Sequence, residues 1–528
     1  MNRDRRVRIY DLHAWTGVTL GFFLFVVSFT GCLALFYHEL QTWEDPARRI
    51  ILPAEPAPIH DVLINWVEEK TEGKPVNFLR IEYPSEYEPY YVGRISFRDE
   101  EGQFINHHQH WHPETTEPVP ERGDGLAVWL LDFHRDLMWP ASLGGRTIGR
   151  ALVGIAGIIM LLSIISGVVT HRKMLKELFT LRINRSIRLK WKDAHNILGL
   201  WGLPFYSMIA FTGAFLGIVA LLLPIMGMLV VKGETEKLFA VVSGPEIEAV
   251  GVPAAMLSVD QIYQRRDIGN GYAPLDVIAG NWGDETATYQ INYPADTALL
   301  PVEAITISAV SGESIPNNLF LEPTTTNNVI SAITPLHYGT YGGIALKLLY
   351  LVLGLSLCAL ILLGMMVWLE RCLHSPAGRQ SEQFYQRMGR LTIGFTLGNV
   401  LASVAIFYTD KLYSGSEEAR ITWVGTTYFL AWFLAIVYAW YRDNPYHTIR
   451  QLLMVAGVGF ALLPLLNGFT SNDFSLFMPT DGLTMWHWFD VGFFITGMLI
   501  LLIAFYLPEK REALLTTPRG EAALGVSS

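Results

Sequence analysis

Charge is scarce in this sequence and cysteine nearly absent. Charged residues make up 17% of 528 positions against 51% hydrophobic ones, and the mean hydropathy is +0.29, which excludes an ordinary soluble chain. The three cysteines, Cys32, Cys358 and Cys372, lie inside or at the end of apolar runs, so neither a disulfide framework nor a CxxC metal site is available. There is no CxxCH, which rules out covalent attachment of a c-type haem. Nor is there a Walker motif, a GxSxG or a convincing GxGxxG, so no nucleotide site or hydrolytic triad is visible, and nothing points to a nucleic-acid partner.

What is abundant is long apolar sequence. A helix needs about 20 such residues to cross the hydrocarbon of a bilayer. The runs predict about eight membrane helices, near 15–37, 147–170, 197–231, 341–369, 391–408, 423–441, 449–467 and 486–507. The start, MNRDRRVRIYDLHAW, has no cleavage site and leads into a run too long for a signal peptide, so a retained first helix is expected. Arg3, Arg5, Arg6 and Arg8 precede that helix, and Arg172, Lys173, Lys176, Arg182, Arg185, Arg188, Lys190 and Lys192 follow the second, which places both segments in the cytoplasm. The long connections 39–146 and 232–333 then lie outside and hold most of the acids, including Glu68, Glu69, Asp99, Glu100 and Glu101. An even number of crossings returns Lys510 and Arg511 to the cytoplasm. The expected localisation is a bacterial inner membrane, in contact with lipid.

Each outside connection is long enough to fold. The first reads as a helix (Ile59 to Thr71) and three strands (Phe78 to Tyr83, Tyr90 to Phe97, Gln103 to Trp111). The second repeats the order, with Ser258 as helix cap and strands near Asp276 to Ala279, Thr286 to Tyr293 and Ala304 to Ser308. Two small α+β modules are therefore expected.

The membrane part also repeats. His13 with Gly17, then Phe29–Thr30–Gly31, recurs as His195 with Gly199, then Phe211–Thr212–Gly213, and His and Thr are 17 residues apart in both copies. His134 precedes Gly145, Gly157 and Gly167 as His337 precedes Gly342, Gly354 and Gly364, with equal glycine spacing. Two units of the same orientation imply a pseudo-twofold axis along the membrane normal. Such an axis brings His13 and His195 together on the cytoplasmic side and His134 and His337 on the outer side. Opposed imidazoles suit six-coordinate haem iron, and small residues let a flat macrocycle approach. The blander reading is an interfacial histidine and glycines that only pack helices. His171 and His38 are the alternate ligands. His487, near Asp490, begins the eighth helix, while His60, His374 and His447 read as solvated or interfacial.

LHAWTGVTLGF, SFTG, FYHEL, FHRDL, LGGR, SGVVTHRK, KDAHNILGLWG, AFTG and LHYGTYGG together resemble the PepSY-associated transmembrane helix family of bacterial iron-regulated inner-membrane proteins. The resemblance covers about 1–374, and LSVDQIYQRR is the better of two degenerate PepSY-like stretches. Combined with the apolar runs and the repeat, the resemblance predicts a membrane all-α core of about eight helices, the first four as two parallel repeats, with two α+β PepSY-like periplasmic modules. The segments would be 1–38 (first helix), 39–146 (module), 147–231 (helices with a basic loop), 232–340 (module), 341–374 (fourth helix) and 375–528 (a four-helix extension with a cytoplasmic tail). It also implies a reductase with two b haems, carrying electrons from a cytoplasmic or quinol donor to ferric siderophore or ferric iron outside. The last four helices lie beyond the family pattern and offer no clear chemistry.

In NHHQHWH, strand alternation puts His108, His110 and His112 on one face, where they could bind a transition metal or simply decorate an exposed strand. Trp43, Trp66, Tyr90, Tyr91 and Trp111 could floor a siderophore site or pack a surface. A siderophore or metal permease and a PepSY-type sensor without catalysis are the competing functions.

Overall fold

The computed structural model describes residues 3–86, 88–99, 101–119, 125–171, 176, 178–179, 182, 187–230, 248–294, 302–315, 325–373, 381–474 and 484–507. Glu100, Arg172, Lys173, Arg185, His374, Lys510 and Arg511 lie outside the described residues. The chain divides into two units, one made of 1–46, 123–218 and 344–528, the other of 47–122 and 219–343.

The first unit is helical. It contains α1 (Arg3–Thr19), α2 (Gly21–Ala34), α3 (Tyr37–Glu44), α5 (Leu126–Asp136), α6 (Gly145–Thr170), α7 (Ile187–Trp201), most of α8 (Leu203–Val230), α11 (Gly343–Leu373), and the extension α12 (Glu382–Leu412), α13 (Glu417–Tyr441), α14 (Pro445–Ser471) and α15 (Met485–Tyr506). Among the described residues, six helices are long and apolar enough to cross a membrane: α6 and α11 to α15. The count reaches eight if each of two bent pairs is one span.

Those bends are the main departure from the expected spans. The first run is helical from Arg3 rather than from about residue 15 and turns by 60° between α1 and α2; the third turns by 68° between α7 and α8. Pro204 explains the second bend, because it has no N–H for the carbonyl one turn back. At the first, Thr16 and Thr19 turn their hydroxyls onto the Leu12 and Trp15 carbonyls, 2.9 and 2.8 Å away, a backbone contact that bends helices. His13 lies seven residues before the break at Leu20, and His195 seven before the break at Gly202.

Small residues let the helices touch. A Cβ on Gly157 would stand 2.8 Å from the Ala214 nitrogen, and one on Gly217 would meet the Gly154 backbone at 2.6 Å, so α6 and α8 cross backbone to backbone. The extension packs α12 against α13 and α14, and α14 against α15.

The second unit holds α4 (His60–Thr71), α9 (Val259–Tyr263) and α10 (Thr325–Tyr338), with strands β1 (Val76–Glu82), β2 (Tyr91–Arg98), β3 (Phe104–Trp111), β4 (Pro118–Val119), β5 (Asp276–Gly280), β6 (Thr288–Pro294) and β7 (Val302–Ser308). Strand positions follow the sequence reading to within a few residues, but two separate modules do not form. All seven strands make one antiparallel sheet, ordered β4-β3-β2-β1-β5-β6-β7, with β1 paired to β5 from Leu79 opposite Ala279 to Glu82 opposite Asp276. Arg80 bonds Asp276 across that seam at 2.9 Å. The two helices cap one another as well: Asp260 accepts from the Ile59 and His60 N–H groups (2.8 and 3.1 Å), and His60 Nδ1 accepts from the Val259 N–H (3.3 Å). His60 is therefore a structural cap. One apolar core, with Leu63, Trp66, Leu79, Ile95, Val277 and Ile291, runs under both halves, so each strand set buries its face with help from the other.

Two further segments differ from the expected layout. α3 and α5, which the sequence reading put in the first outside module, belong to the helical unit, where both pack on each other and α5 packs on α2 and α6. The apolar stripe of α5 (Leu126, Ala127, Trp129, Leu130, Phe133) is buried there.

Candidate functional site

A neutral imidazole has one N–H and one lone pair, and a backbone carbonyl can only accept. Whichever ring nitrogen meets a carbonyl therefore carries the proton, and the other nitrogen presents its lone pair. His13, on α1, places Nδ1 2.9 Å from the Ser163 carbonyl of α6; His195, on α7, places Nδ1 3.0 Å from the Leu360 carbonyl of α11. Both tautomers are thus fixed, with the proton on Nδ1 and the lone pair on Nε2. The two rings face each other with centroids 6.3 Å apart and planes inclined by 68°. The structure brings this predicted pair together.

His134, on α5, is held in the same way, with Nδ1 2.9 Å from the Val27 carbonyl of α2. In all three cases a glycine follows the accepting residue by four: Gly167 after Ser163, Gly364 after Leu360, Gly31 after Val27. A helical carbonyl points toward the residue four positions on, so a side chain there would cover its second lone pair. Each glycine leaves that approach open. A Cβ on Gly31 would lie 2.8 Å from His134 Cε1, on Gly364 3.1 Å from His195 Cε1, and on Gly167 3.2 Å from His13 Cε1. His13 has further support, since Ser166 Oγ is 3.2 Å from its Nδ1 and Ser163 Oγ bonds Thr16 Oγ1 at 3.1 Å. Thr30 and Thr212, the repeated threonines, turn their hydroxyls back onto their own helices, to the Val26 and Met208 carbonyls at 2.8 Å each.

Carbonyl-anchored histidines over helix glycines occur where the LHAWTG, SFTG and KDAHNILG segments sit, and the sequence pattern described as the PepSY-associated TM region matches residues 10–371. The chain belongs to this family. It is also 26% identical over 343 residues to an uncharacterized protein of Pseudomonas aeruginosa, an alignment covering 62% of this chain and 83% of that one. All four expected ligand histidines fall within the span of the family pattern, whereas α12 to α15 follow it.

The other expected residues fare differently. His337 belongs to the second unit, near the end of α10, with Tyr338 beside it at 5.8 Å between ring centroids. His171 is the C-cap of α6, and His38 lies exposed on α3 against Tyr37. His108 and His110 do share a face, with ring centroids 6.3 Å apart, but His112 lies past the strand end, where its Nδ1 accepts from the Glu114 and Thr115 N–H groups. Among the described residues no group of three His, Cys, Asp or Glu side chains is placed to hold a metal, so His108, His110 and His112 do not form the metal site that strand alternation allowed. The turn after β3 takes the third imidazole. Trp43, Trp66, Tyr90, Tyr91 and Trp111 do not floor an open site, since all five are buried. His487 caps α15 with Thr484, and Asp490 instead bonds Trp43 Nε1 and Asn467 Nδ2, each at 2.8 Å.

A shell of buried ionic groups was missed. Lys347 meets Glu39 at 2.5 Å, Asp410 lies by Arg420 at 3.5 Å, and the buried Asp132 bonds the half-buried Arg135 and the exposed Arg146. The available signal was Lys347, Asp410 and Arg420 standing in or beside apolar runs, where an unpaired charge is costly.

Proposed function

We propose that this protein is a b-type dihaem reductase of the bacterial inner membrane that passes electrons outward to ferric siderophore or ferric iron. The observation that carries the reading is the His13–His195 pair. Imidazoles are haem-iron ligands, and two whose Nδ1 atoms are already taken by carbonyls could each offer Nε2 to one iron. The pair here is at 6.3 Å, with both Nδ1 atoms already committed to carbonyls. His13 and His195 would hold one haem. His134, anchored by the same device, would supply a ligand to the second.

Haem, when bound, supplies a one-electron carrier near each face of a layer about 30 Å thick. The chain's own part is orientation. Carbonyl anchors fix the tautomer, and the glycines admit the rings. Apolar helices exclude water, and the basic segments set the N- and C-termini in the cytoplasm. Reduction of the substrate's Fe(III) to Fe(II) weakens its hold by hard oxygen donors.

A reduced-minus-oxidised optical spectrum of purified protein tests the reading. Two non-covalent b haems per chain are expected, and reduced protein should be reoxidised by a ferric siderophore added outside oriented vesicles. Protein made with ample haem supply that carries none would eliminate the reductase and leave permease or sensor.

A further inference from the structure

The extension α12 to α15 has no chemistry of its own in the proposed function, yet it reaches the helix that carries His134. α5 begins at Gly125, whose missing side chain cannot cap it, so its first N–H groups need outside acceptors. Asp410 of α12 accepts from the Leu126 N–H at 3.3 Å, and Glu44 of α3 accepts from the Ala127 N–H at 2.9 Å. Asp410 is itself held by Arg420 of α13, and Lys411 donates to the Trp43 and Glu44 carbonyls at 2.7 and 3.2 Å. One turn on, Tyr428 of α13 lies against Trp129 and Phe133, with ring centroids 4.7 and 5.1 Å apart. Its hydroxyl accepts from Asn399 Nδ2 of α12 at 2.7 Å. Gly425 makes room, because a Cβ there would lie 2.8 Å from Trp129 Nε1.

Phe133 and His134 are consecutive residues pointing about 100° apart around α5, so the helix is gripped on two faces, the aromatic one by the extension and the imidazole by the Val27 carbonyl of α2. We infer that the extension is the support that aims His134, with Asp410 setting the start of α5 and Tyr428 setting its rotation. They are positioning residues that act through α5. The inference rests on the proposed function only for what His134 binds; the clamp itself stands on the contacts above.

The test uses the full-length chain in detergent, made in a haem-deficient host so that the first readout does not depend on haem. Diethyl pyrocarbonate labelling of each histidine is followed by mass spectrometry, with exposed His447 as internal reference. In Tyr428→Ala the labelling rate of His134 should rise about fivefold or more, as local opening of a small buried element predicts, while His13 and His195 keep the wild-type rate. Asp410→Asn should raise it less, and Tyr428→Phe should restore protection because the ring is kept. In haem-replete protein, Tyr428→Ala should shift the midpoint potential of one haem and leave the other. Unchanged His134 labelling in Tyr428→Ala overturns the inference, as does an equal rise at His13 and His195, which would mean general loosening. Wild-type protein without haem would overturn the proposed function while the labelling result still decides the clamp.

Discussion

Gly31→Ala adds one methyl group to α2 and addresses the anchoring device directly. That Cβ would stand 2.8 Å from His134 Cε1, 3.1 Å from Nδ1 and 3.5 Å from Nε2, so it confronts the whole ring. Carbon contacts settle near 3.5–4.0 Å, so the imidazole must withdraw by about 0.7 Å or more. The Nδ1 bond to the Val27 carbonyl starts at 2.9 Å and passes beyond hydrogen-bonding range with that displacement. Losing it costs about 1 kcal/mol, and forcing a methyl into a packed site costs about 1–3 kcal/mol. Alanine returns at most about 1 kcal/mol over glycine in a helix, leaving a net loss of about 1–3 kcal/mol. Gly492→Ala in α15 is the control, because nothing outside its own helix lies within 4 Å of a Cβ there and the same helix gain applies. Thermal melting in detergent and the haem difference spectrum are compared for the two. Gly31→Ala should melt lower and lose one haem, while Gly492→Ala should do neither. Equal behaviour of both variants would refute the claim that the glycine exists to admit the ring.

Three other outcomes are expected. His13→Ala and His195→Ala should each remove the same haem in a pyridine haemochrome assay, whereas loss on His171→Ala but not on His13→Ala would mean the 6.3 Å pair is not the ligand pair. Lys347→Met should destabilise the helical unit by about 3–5 kcal/mol in denaturant melts, because it strands the buried Glu39 carboxylate, and Glu39→Gln in the same chain should recover most of it. Asp284 accepts from the Thr286 hydroxyl and N–H and from the Val250 and Gly251 N–H groups, which hold its carboxyl down at about 2. A depressed carboxyl stabilises fully above its unfolded value of about 3.9 and loses that contribution as pH falls toward 2, so the loss of stability of the sheet unit between those values should be smaller in Asp284→Asn.

The strands were legible because alternation has a period of two and turns punctuate it: Phe104–Trp111 and Asp276–Gly280 fall almost where the pattern put them. Fusion of the two strand sets was not legible. Nothing local in Val76–Glu82 names Asp276–Gly280 as its partner, and a pairing across about two hundred residues depends on the whole core. The bends are a mixed case. Gly202–Leu203–Pro204 carries a readable break, but an apolar window average passes over it, and the first bend has only threonines and glycines to announce it.

The candidate site was legible at its side chains and hidden at its main chain. Repetition gave His13, His195 and His134, together with Gly167, Gly364 and Gly31, but read the glycines as room for helices or a cofactor. Their neighbours are the imidazoles themselves. The anchors are carbonyls of Ser163, Leu360 and Val27, three residues with no common side chain. A carbonyl can be offered by any residue, so the steric constraint falls four positions on, where a glycine leaves it accessible. The pattern visible in the sequence is thus a histidine on one helix and a glycine on another, with the bond that joins them displaced by one turn. This is why the aligned glycines carry more information about the histidines than the residues that hold them.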